Sequence, residues 1–246
     1  MESVLQIAAE ASRQATRAQA LVTNNLANTG TTAFKGDLYS AQARYIVGSP
    51  VEGGGISEPE LTSVDLSPGA VAFTGRDLDI AINGDGWMQV ITPGGEEVLS
   101  RRGDLRVDIN GNLTDAVGNQ ILGDGGPINI PPFSSLTIGA DGTISIIPRG
   151  ENPTSSAAID RIMLVNPQAS ELAKGSDGNI RANPGANLAP DASVQIVIGA
   201  LETSNVNPIS AMVQMIELAR SYESHINTMK SADELEGSSA SLMRLE

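Results

Sequence analysis

The sequence predicts an α+β fold, in which long N- and C-terminal helices pack lengthwise as an axial helical domain and enclose a central antiparallel β-rich domain. Three observations predict it. All 26 glycines lie between Gly30 and Gly237, with none in residues 1–29 or 200–236. Proline is absent before Pro50 and after Pro208. Between these breaker-free ends, short apolar runs alternate with Asn-Gly and Asp-Gly turn signals, the strongest short-range cues for hairpins.

The N-terminal stretch places Val4, Ala8, Ala11, Ala15, Ala18 and Val22 alternately four and three residues apart. That is the 3.5-residue seam of a helix lying along another. Ser3 and Gln6 suit a capping box, and Asn28-Thr29-Gly30 suits a stop, because Asn and Gly tolerate the left-handed conformation at a helix end. The seam is mainly alanine, which favours helix but buries little area, so this helix needs neighbours. Asn25 continues the seam as a polar member, suited to fixing register at some cost in stability.

The C-terminal stretch opens on Asn207 as N-cap and Pro208 at the first helical position, a favoured pairing. Met212, Met215, Ala219, Tyr222, Ile226 and Met229 then recur at threes and fours. Gly237 is expected to interrupt or end this helix, and the tail through Leu242 and Met243 to resume it. Periodicity alone fits equally well two ordinary amphipathic helices packed on a local core.

The middle carries apolar or β-branched runs at 78–82, 87–92, 97–99, 105–109, 136–138, 143–147, 162–165 and 194–198. The turns between them include Asn83-Gly84-Asp85-Gly86, Pro93-Gly94-Gly95, Asn110-Gly111-Asn112, Asp141-Gly142 and Asp177-Gly178. No helix-length segment intervenes, so a parallel βαβ sheet is not expected. The expected organisation is an axial helix over 1–29, an irregular connector over 30–75 containing Gly53-Gly54-Gly55, a β-domain over 76–200 and a second axial helix over 201–246.

Composition narrows the function. The net charge of −14 opposes nucleic-acid binding, which needs clustered Lys and Arg. Seven aromatic residues (three Phe, three Tyr and Trp87) give little stacking surface for sugars or single strands. With no cysteine there is neither thiol chemistry nor disulfide. No run of apolar residues is long enough for a transmembrane segment, and the N-terminus lacks the basic and apolar regions of a cleaved signal peptide.

No catalytic, cofactor-binding or metal site is expected. His225 is the sole histidine and lies in the C-terminal helix without a nucleophile-elbow sequence. Asp108, Asn110 and Asn112 match positions 1, 3 and 5 of a calcium loop, but Leu113 and Asn119 stand where glycine and glutamate belong. A hairpin turn explains them better. Gly84-x-Gly86 and Gly123-x-Gly125-Gly126 lie between strands, not before helices, so they are not phosphate loops. A hydrolase using scattered carboxylates has no motif behind it.

Three local sequences carry a family resemblance. Asn24-Asn25-Leu26-Ala27-Asn28-Thr29 with Phe34-Lys35 resembles the N-terminal signature of bacterial flagellar rod and hook proteins. Leu201-Glu202-Thr203-Ser204-Asn205-Val206-Asn207, followed by Met212, Met215-Ile216, Arg220, Tyr222 and Glu223, resembles their C-terminal signature. Residues Leu78-Asp79-Ile80-Ala81-Ile82-Asn83-Gly84-Asp85-Gly86-Trp87 resemble the family's strand-turn segment. Length and the compact connector look more like the proximal-rod type than the distal-rod type. Ala33, where a glycine commonly precedes the aromatic, and Gly75-Arg76-Asp77, where Gly-Asn-Pro is frequent, depart from the pattern.

The resemblance implies a structural subunit that polymerises through its terminal helices and helps transmit motor torque. Its partners would be copies of itself, neighbouring rod proteins and the flagellar type III export apparatus, with no nucleic acid and no small-molecule substrate. It would be exported without a cleaved signal peptide and reside in the periplasmic rod of the basal body. Val4, Ala8, Ala11, Ala15, Ala18, Val22, Asn25, Met212, Met215, Ala219, Tyr222, Ile226 and Met229 would form the assembly seam. Two alternatives are another rod or hook subunit, such as the distal-rod protein, and a secreted β-rich binding module with oligomerising helices.

Overall fold

The computed structural model describes residues 2–38, 43–44, 56–57, 63–150, 152, 155–175 and 177–243, with backbone alone at 2–4, 43–44, 56–57 and 236–243. Gly53-Gly54-Gly55 and the side chains of Val4, Leu242 and Met243 lie outside the described residues. The chain divides into two compact units. One comprises residues 1–29, 36–65 and 206–246; the other comprises 30–35 and 66–205.

The first unit holds helix α1 (Glu2–Ala27) and helix α2 (Pro208–Met243). Within residues 36–65, Asp37–Leu38 pairs with Ser63–Val64 and Ala43–Arg44 with Ile56–Ser57, both antiparallel. α1 stops where its sequence predicts, but not by the left-handed conformation expected, since neither Asn28 nor Gly30 has positive φ. Instead the Asn28 side chain donates to the Asn24 carbonyl at 2.9 Å and the Thr29 hydroxyl to that of Leu26 at 2.9 Å. At its other end α1 begins at Glu2, so Ser3 stands inside the first turn and not at the cap. The Asn207 carboxamide oxygen caps α2, accepting from the amides of Ile209 (2.9 Å) and Ser210 (3.2 Å). α2 runs through Gly237 without a break. One interior glycine costs about 1 kcal/mol against alanine, too little to end a helix this long.

The expectation of an axial domain of terminal helices packed lengthwise does not hold. Among the described residues there are only two α-helices, one at each end, and the chain between them is mostly β. The α+β class stands, but the helices touch within a unit that also contains the strand pairs of 36–65. Among the described side chains, those they bury are few and small: Ala8, Ser12, Ala15 and Ala18 on α1, Ala211 and Ala232 on α2. Small side chains bring little apolar area out of water, so one such contact cannot cover either helix along its length.

The second unit is antiparallel throughout. In chain order its principal strands are β1 (Val71–Phe73), β2 (Ile80–Asn83), β3 (Trp87–Ile91), β4 (Glu97–Ser100), β5 (Arg106–Val107), β6 (Leu113–Thr114) and β7 (Gln120–Gly123). They continue with β8 (Phe133–Ile138), β9 (Thr143–Pro148), β10 (Ala157–Arg161), β11 (Leu164–Val165), β12 (Leu172–Lys174), β13 (Ile180–Ala182), β14 (Gln195–Ile198) and β15 (Ala200–Glu202). The main sheet runs β12-β13-β4-β3-β7-β6-β5, with β11 also on β3 and Gly126–Pro127 on β7. β8-β9-β10 form a second sheet, while β14 pairs with β2 and β15 with β1. Ile80, Met88, Val90, Leu105, Leu113, Ile121 and Ile144 form the centre of one core.

The turns fall where the sequence places them. Gly95, Gly111, Gly142 and Gly178 all have positive φ, the conformation that makes glycine the default at such corners. Asp108 behaves as a turn residue: one carboxylate oxygen accepts the amides of Asn110 (2.7 Å) and Asn112 (2.9 Å). Asp115 repeats the device, accepting the amides of Val117, Gly118 and Asn119.

These turns give the unit an acid limit. Hydrogen bonds hold the pKa values of Asp108 (chiefly from Asn112), Asp141 (Thr143), Asp177 (Arg181) and Asp191 (Ser193) below the ordinary 3.8. A lowered folded value means the unfolded chain takes up the proton first, so stability is full above pH ~4 and falls as pH drops through the lowered values. The urea midpoint is therefore expected to be flat from pH 7 to 5 and to fall by pH 3. Asp141→Asn with Asp177→Asn should flatten that fall.

Candidate functional site: a buried charge cluster

The polar centre of the β unit lies on the face of β3 opposite its core side. Met88 and Val90 of β3 enter the core, so Trp87 and Gln89 point the other way. Beside Trp87 the chain buries three charged side chains. Lys35 keeps 3% of its side-chain surface, Arg101 2% and Glu202 1%, so their pairing decides whether this part of the unit is stable.

Each charge is met by defined partners. The Glu202 carboxylate accepts the Lys35 ammonium at 2.7 Å and the Gly69 amide at 2.9 Å on Oε1, and the Arg101 Nε–H at 2.7 Å on Oε2. Arg101 donates its other groups to the carbonyls of Gly86 (2.6 Å) and Gly84 (2.7 Å). Lys35 also donates to the Ser67 carbonyl at 2.6 Å. Both cations stand over the Trp87 ring, Arg101 at 5.6 Å and Lys35 at 5.9 Å from its centre, within cation–π reach. Lys174 covers the outside, 4.8 Å from the Phe34 ring centre, and donates to the Lys35 carbonyl at 3.1 Å.

Local sequence explains how the four parts are held. Glu202 ends β15, which hydrogen-bonds to β1 in the register Glu202↔Val71. Thr203 extends that pairing through its amide (2.8 Å) and hydroxyl (2.9 Å), both donating to the Ala70 carbonyl. Gly69 passes so close that a Cβ there would overlap the Thr203 carbonyl oxygen. Gly86 has φ 131° and packs against Val194, which turns its carbonyl toward Arg101. Ala33 donates its amide to the Glu202 carbonyl at 2.9 Å and, among the described residues, is the one non-glycine with positive φ (55°). An alanine pays about 1–2 kcal/mol for that conformation, and glycine returns roughly half of this through the unfolded chain. Ala33→Gly should therefore raise stability by about 0.5–1 kcal/mol, read from the denaturation midpoint.

The cluster can hold three chain segments together; nothing in it points to bond-breaking chemistry. Among the described residues no three His, Asp or Glu side chains gather as metal ligands, and His225 meets only Ser221, one turn away on α2, at 3.2 Å. Three of its members sit inside the motifs singled out in the sequence: Lys35 after Phe34, Trp87 after Gly-Asp-Gly, and Glu202 within Leu-Glu-Thr-Ser-Asn. Arg101 carried no such mark. The signal available was a charged residue inside a motif at each end of the β region, but spacing does not say which charges meet.

Two family models match the regions that carry Trp87, Arg101 and Glu202, and neither reaches Lys35. A model described as the flagellar basal body rod FlgEFG protein C-terminal domain matches residues 198–242, and one described as the flagellar hook protein FlgE/F/G D1 domain matches 81–146. The chain is 36% identical to the flagellar basal-body rod protein FlgF of Salmonella typhimurium and 35% identical to that of Escherichia coli K12, over 100% of both chains in each case. It is 30% identical to the rod protein FlgG of Buchnera aphidicola, over 87% of this chain and 90% of the other. The chain belongs to the flagellar basal-body rod protein family, FlgF type. It is a structural rod subunit and not an enzyme, so the binding-module and hydrolase alternatives fall away.

The structure distributes the expected seam of this rod protein as follows. Ala8, Ala15 and Ala18 are buried, and Ala11, Val22, Asn25, Met215, Ala219, Ile226 and Met229 are half-buried. Met212 and Tyr222 are exposed. Asn25 uses its carboxamide within the chain, donating to the Asp37 carbonyl at 2.8 Å and accepting the Asp37 amide at 2.9 Å.

Proposed function

We propose that this rod subunit joins its neighbours in the basal body through the helical faces that its own chain leaves uncovered. The observation that carries the reading is a stripe on α2: Ile209, Met212, Val213 and Ile216 are each about half or more exposed, and their spacing puts them on one face. A contiguous apolar stripe in water marks a contact surface. Of the predicted seam, the exposed Met212 and Tyr222 and the half-buried Ala11, Val22, Met215, Ala219, Ile226 and Met229 are the residues we assign to subunit contacts, whereas Ala8, Ala15 and Ala18 are already buried within the chain and Asn25 is bonded to Asp37.

Membership of a rod family supports the remaining parts of the role. Partners are further copies of the chain and neighbouring rod proteins, and the assembled subunit helps transmit motor torque. The chain reaches the periplasmic part of the basal body through the flagellar type III export apparatus. No helix of the described residues is long and apolar enough to cross a membrane. Complementing a strain lacking this subunit with stripe variants tests the reading: loss of swimming and of the subunit from isolated basal bodies supports it, and normal incorporation refutes it.

A further inference from the structure

We infer that successive copies of this chain also join edge to edge in the rod, with β1 of one β unit adding antiparallel to β8 of the next. The inference rests on the reading above that copies adjoin, and it names a second contact apart from the helices. Both strands are bonded on one side and open on the other. The Thr203 amide donates to the Ala70 carbonyl and the Thr74 amide to the Gly199 carbonyl, each at 2.8 Å, so Ala70, Ala72 and Thr74 turn their backbone groups toward β15. The alternate residues of an antiparallel ladder turn theirs away, which leaves the N–H and C=O of Val71 and Phe73 on the outer edge. On β8 the Gly139 amide donates to the Thr143 carbonyl at 2.7 Å. With Thr137 opposite Ser145 and Ile138 opposite Ile144, the residues turned outward are Leu136 and Ile138. Among the described residues no hydrogen bond reaches either outer edge.

An open edge is a template for a further strand, and charge is a common guard against it. β5 carries Arg106, β10 carries Asp160 and Arg161, and β12 carries Lys174. On β2 and β14 the outward amides of Ile80 and Ile196 are taken up by the carbonyls of Gly103 (3.0 Å) and Ala140 (2.9 Å). β1 and β8 have neither guard. Residues 66–75 and 125–140 hold no charged side chain, in a chain of net charge −14. Copies that repel one another elsewhere can approach closely there. The two edges also match, since each offers an N–H and a C=O on residues two apart. Setting Phe73 opposite the next copy's Leu136, and Val71 opposite its Ile138, gives every one of these groups a partner. Directly opposed side chains share a face. Phe73, 80% exposed in the single chain, then lies beside Leu136 at the border of the next copy's core. Because the two edges are different patches, the contact is heterologous and repeats from copy to copy, as a helical rod requires.

In this register Ala72 faces the next copy's Thr137 between the hydrogen-bonded pairs, where opposed Cα atoms come within about 4.5 Å, inside disulfide reach. Both side chains are exposed and the chain has no cysteine, so Ala72→Cys/Thr137→Cys introduces the only thiols. Basal bodies from a strain complemented with this variant are oxidised and the subunit is followed on non-reducing gels. The inference expects a covalent ladder of dimers and larger multimers from the double variant and none from either single variant. Basal bodies that contain the double variant but give no ladder overturn it. So does a covalent dimer from Ala72→Cys alone, which means that β1 pairs with β1. Should the double variant not be incorporated, Phe73→Lys decides. Its side chain is exposed in the free chain, so the denaturation midpoint should hold, while a charge set into the apolar contact should lower the subunit content of basal bodies at least about tenfold. Normal incorporation of Phe73→Lys overturns the inference. Aspartates at Val213 and Ile216 test the helical contact separately, so a ladder without dependence on that stripe, or the reverse, tells which of the two contacts fails.

Discussion

Exchanging Glu202 for leucine is expected to lower the stability of the β unit by about 3–5 kcal/mol, the size of effect seen when one partner of a buried ion pair is removed. Lys35 and Arg101 remain buried, and the Gly69 amide loses its acceptor. Urea denaturation followed by Trp87 fluorescence checks it through a lower midpoint at unchanged slope. The apolar triple variant Lys35→Met/Arg101→Met/Glu202→Leu should recover most of the loss, because removing all the charges also removes their desolvation cost. A drop below about 1 kcal/mol for Glu202→Leu would mean that solvent reaches the cluster.

Placing aspartate at both Val213 and Ile216 is expected to abolish incorporation into the rod while leaving the isolated chain folded. Both side chains are about half exposed in the single chain, so the monomer should change by no more than about 0.5 kcal/mol, as exposed substitutions generally do. In an assembled contact each would contribute about 1.5–3 kcal/mol of apolar burial, and a charge in its place adds a desolvation cost. Together that is more than a hundredfold in association. Motility in soft agar and subunit content of isolated basal bodies measure the effect, with the denaturation midpoint as the folding control.

Much of the architecture was legible because glycine and proline punctuate this chain so clearly. Their absence from both ends marks α1 and α2, and Asn207 with Pro208 marks the start of the second helix to the residue. Turn pairs such as Asn110-Gly111 and Asp141-Gly142 mark corners whose glycines do take positive φ. The missed strands are short: Leu113–Thr114, Leu172–Lys174 and Ile180–Ala182 span two or three residues, too few to show an alternation. In the sequence Leu201-Glu202 opens the C-terminal motif and carries no strand signal, because the partner strand Val71–Phe73 lies far upstream and cannot be paired by spacing.

The lengthwise packing of the helices failed for a different reason. A four-three pattern of alanines shows which face of a helix is small and apolar, but not how much of it the chain's own second helix covers. In α2 the buried positions are Ala211 and Ala232, whereas Met212, read as seam, faces solvent. Adjacent residues on a helix lie about 100° apart, so a shift of one position moves a side chain from the contact to the open flank. The charge cluster escaped notice because long-range pairing of single charges leaves no periodic trace. Its members were visible only as residues inside motifs, and Arg101 not even as that.

Amide hydrogen exchange on the purified chain and on the same subunit in isolated basal bodies tests the account most directly. The two should differ in the two helices. The account predicts that amides of residues 208–235, and those of α1, exchange quickly in the free chain and become protected in the basal body, while amides of β2, β3 and β4 are protected in both. Equal protection of α2 in the free chain and in the basal body would contradict it, because the exposed helical face would then not be where the subunit is held.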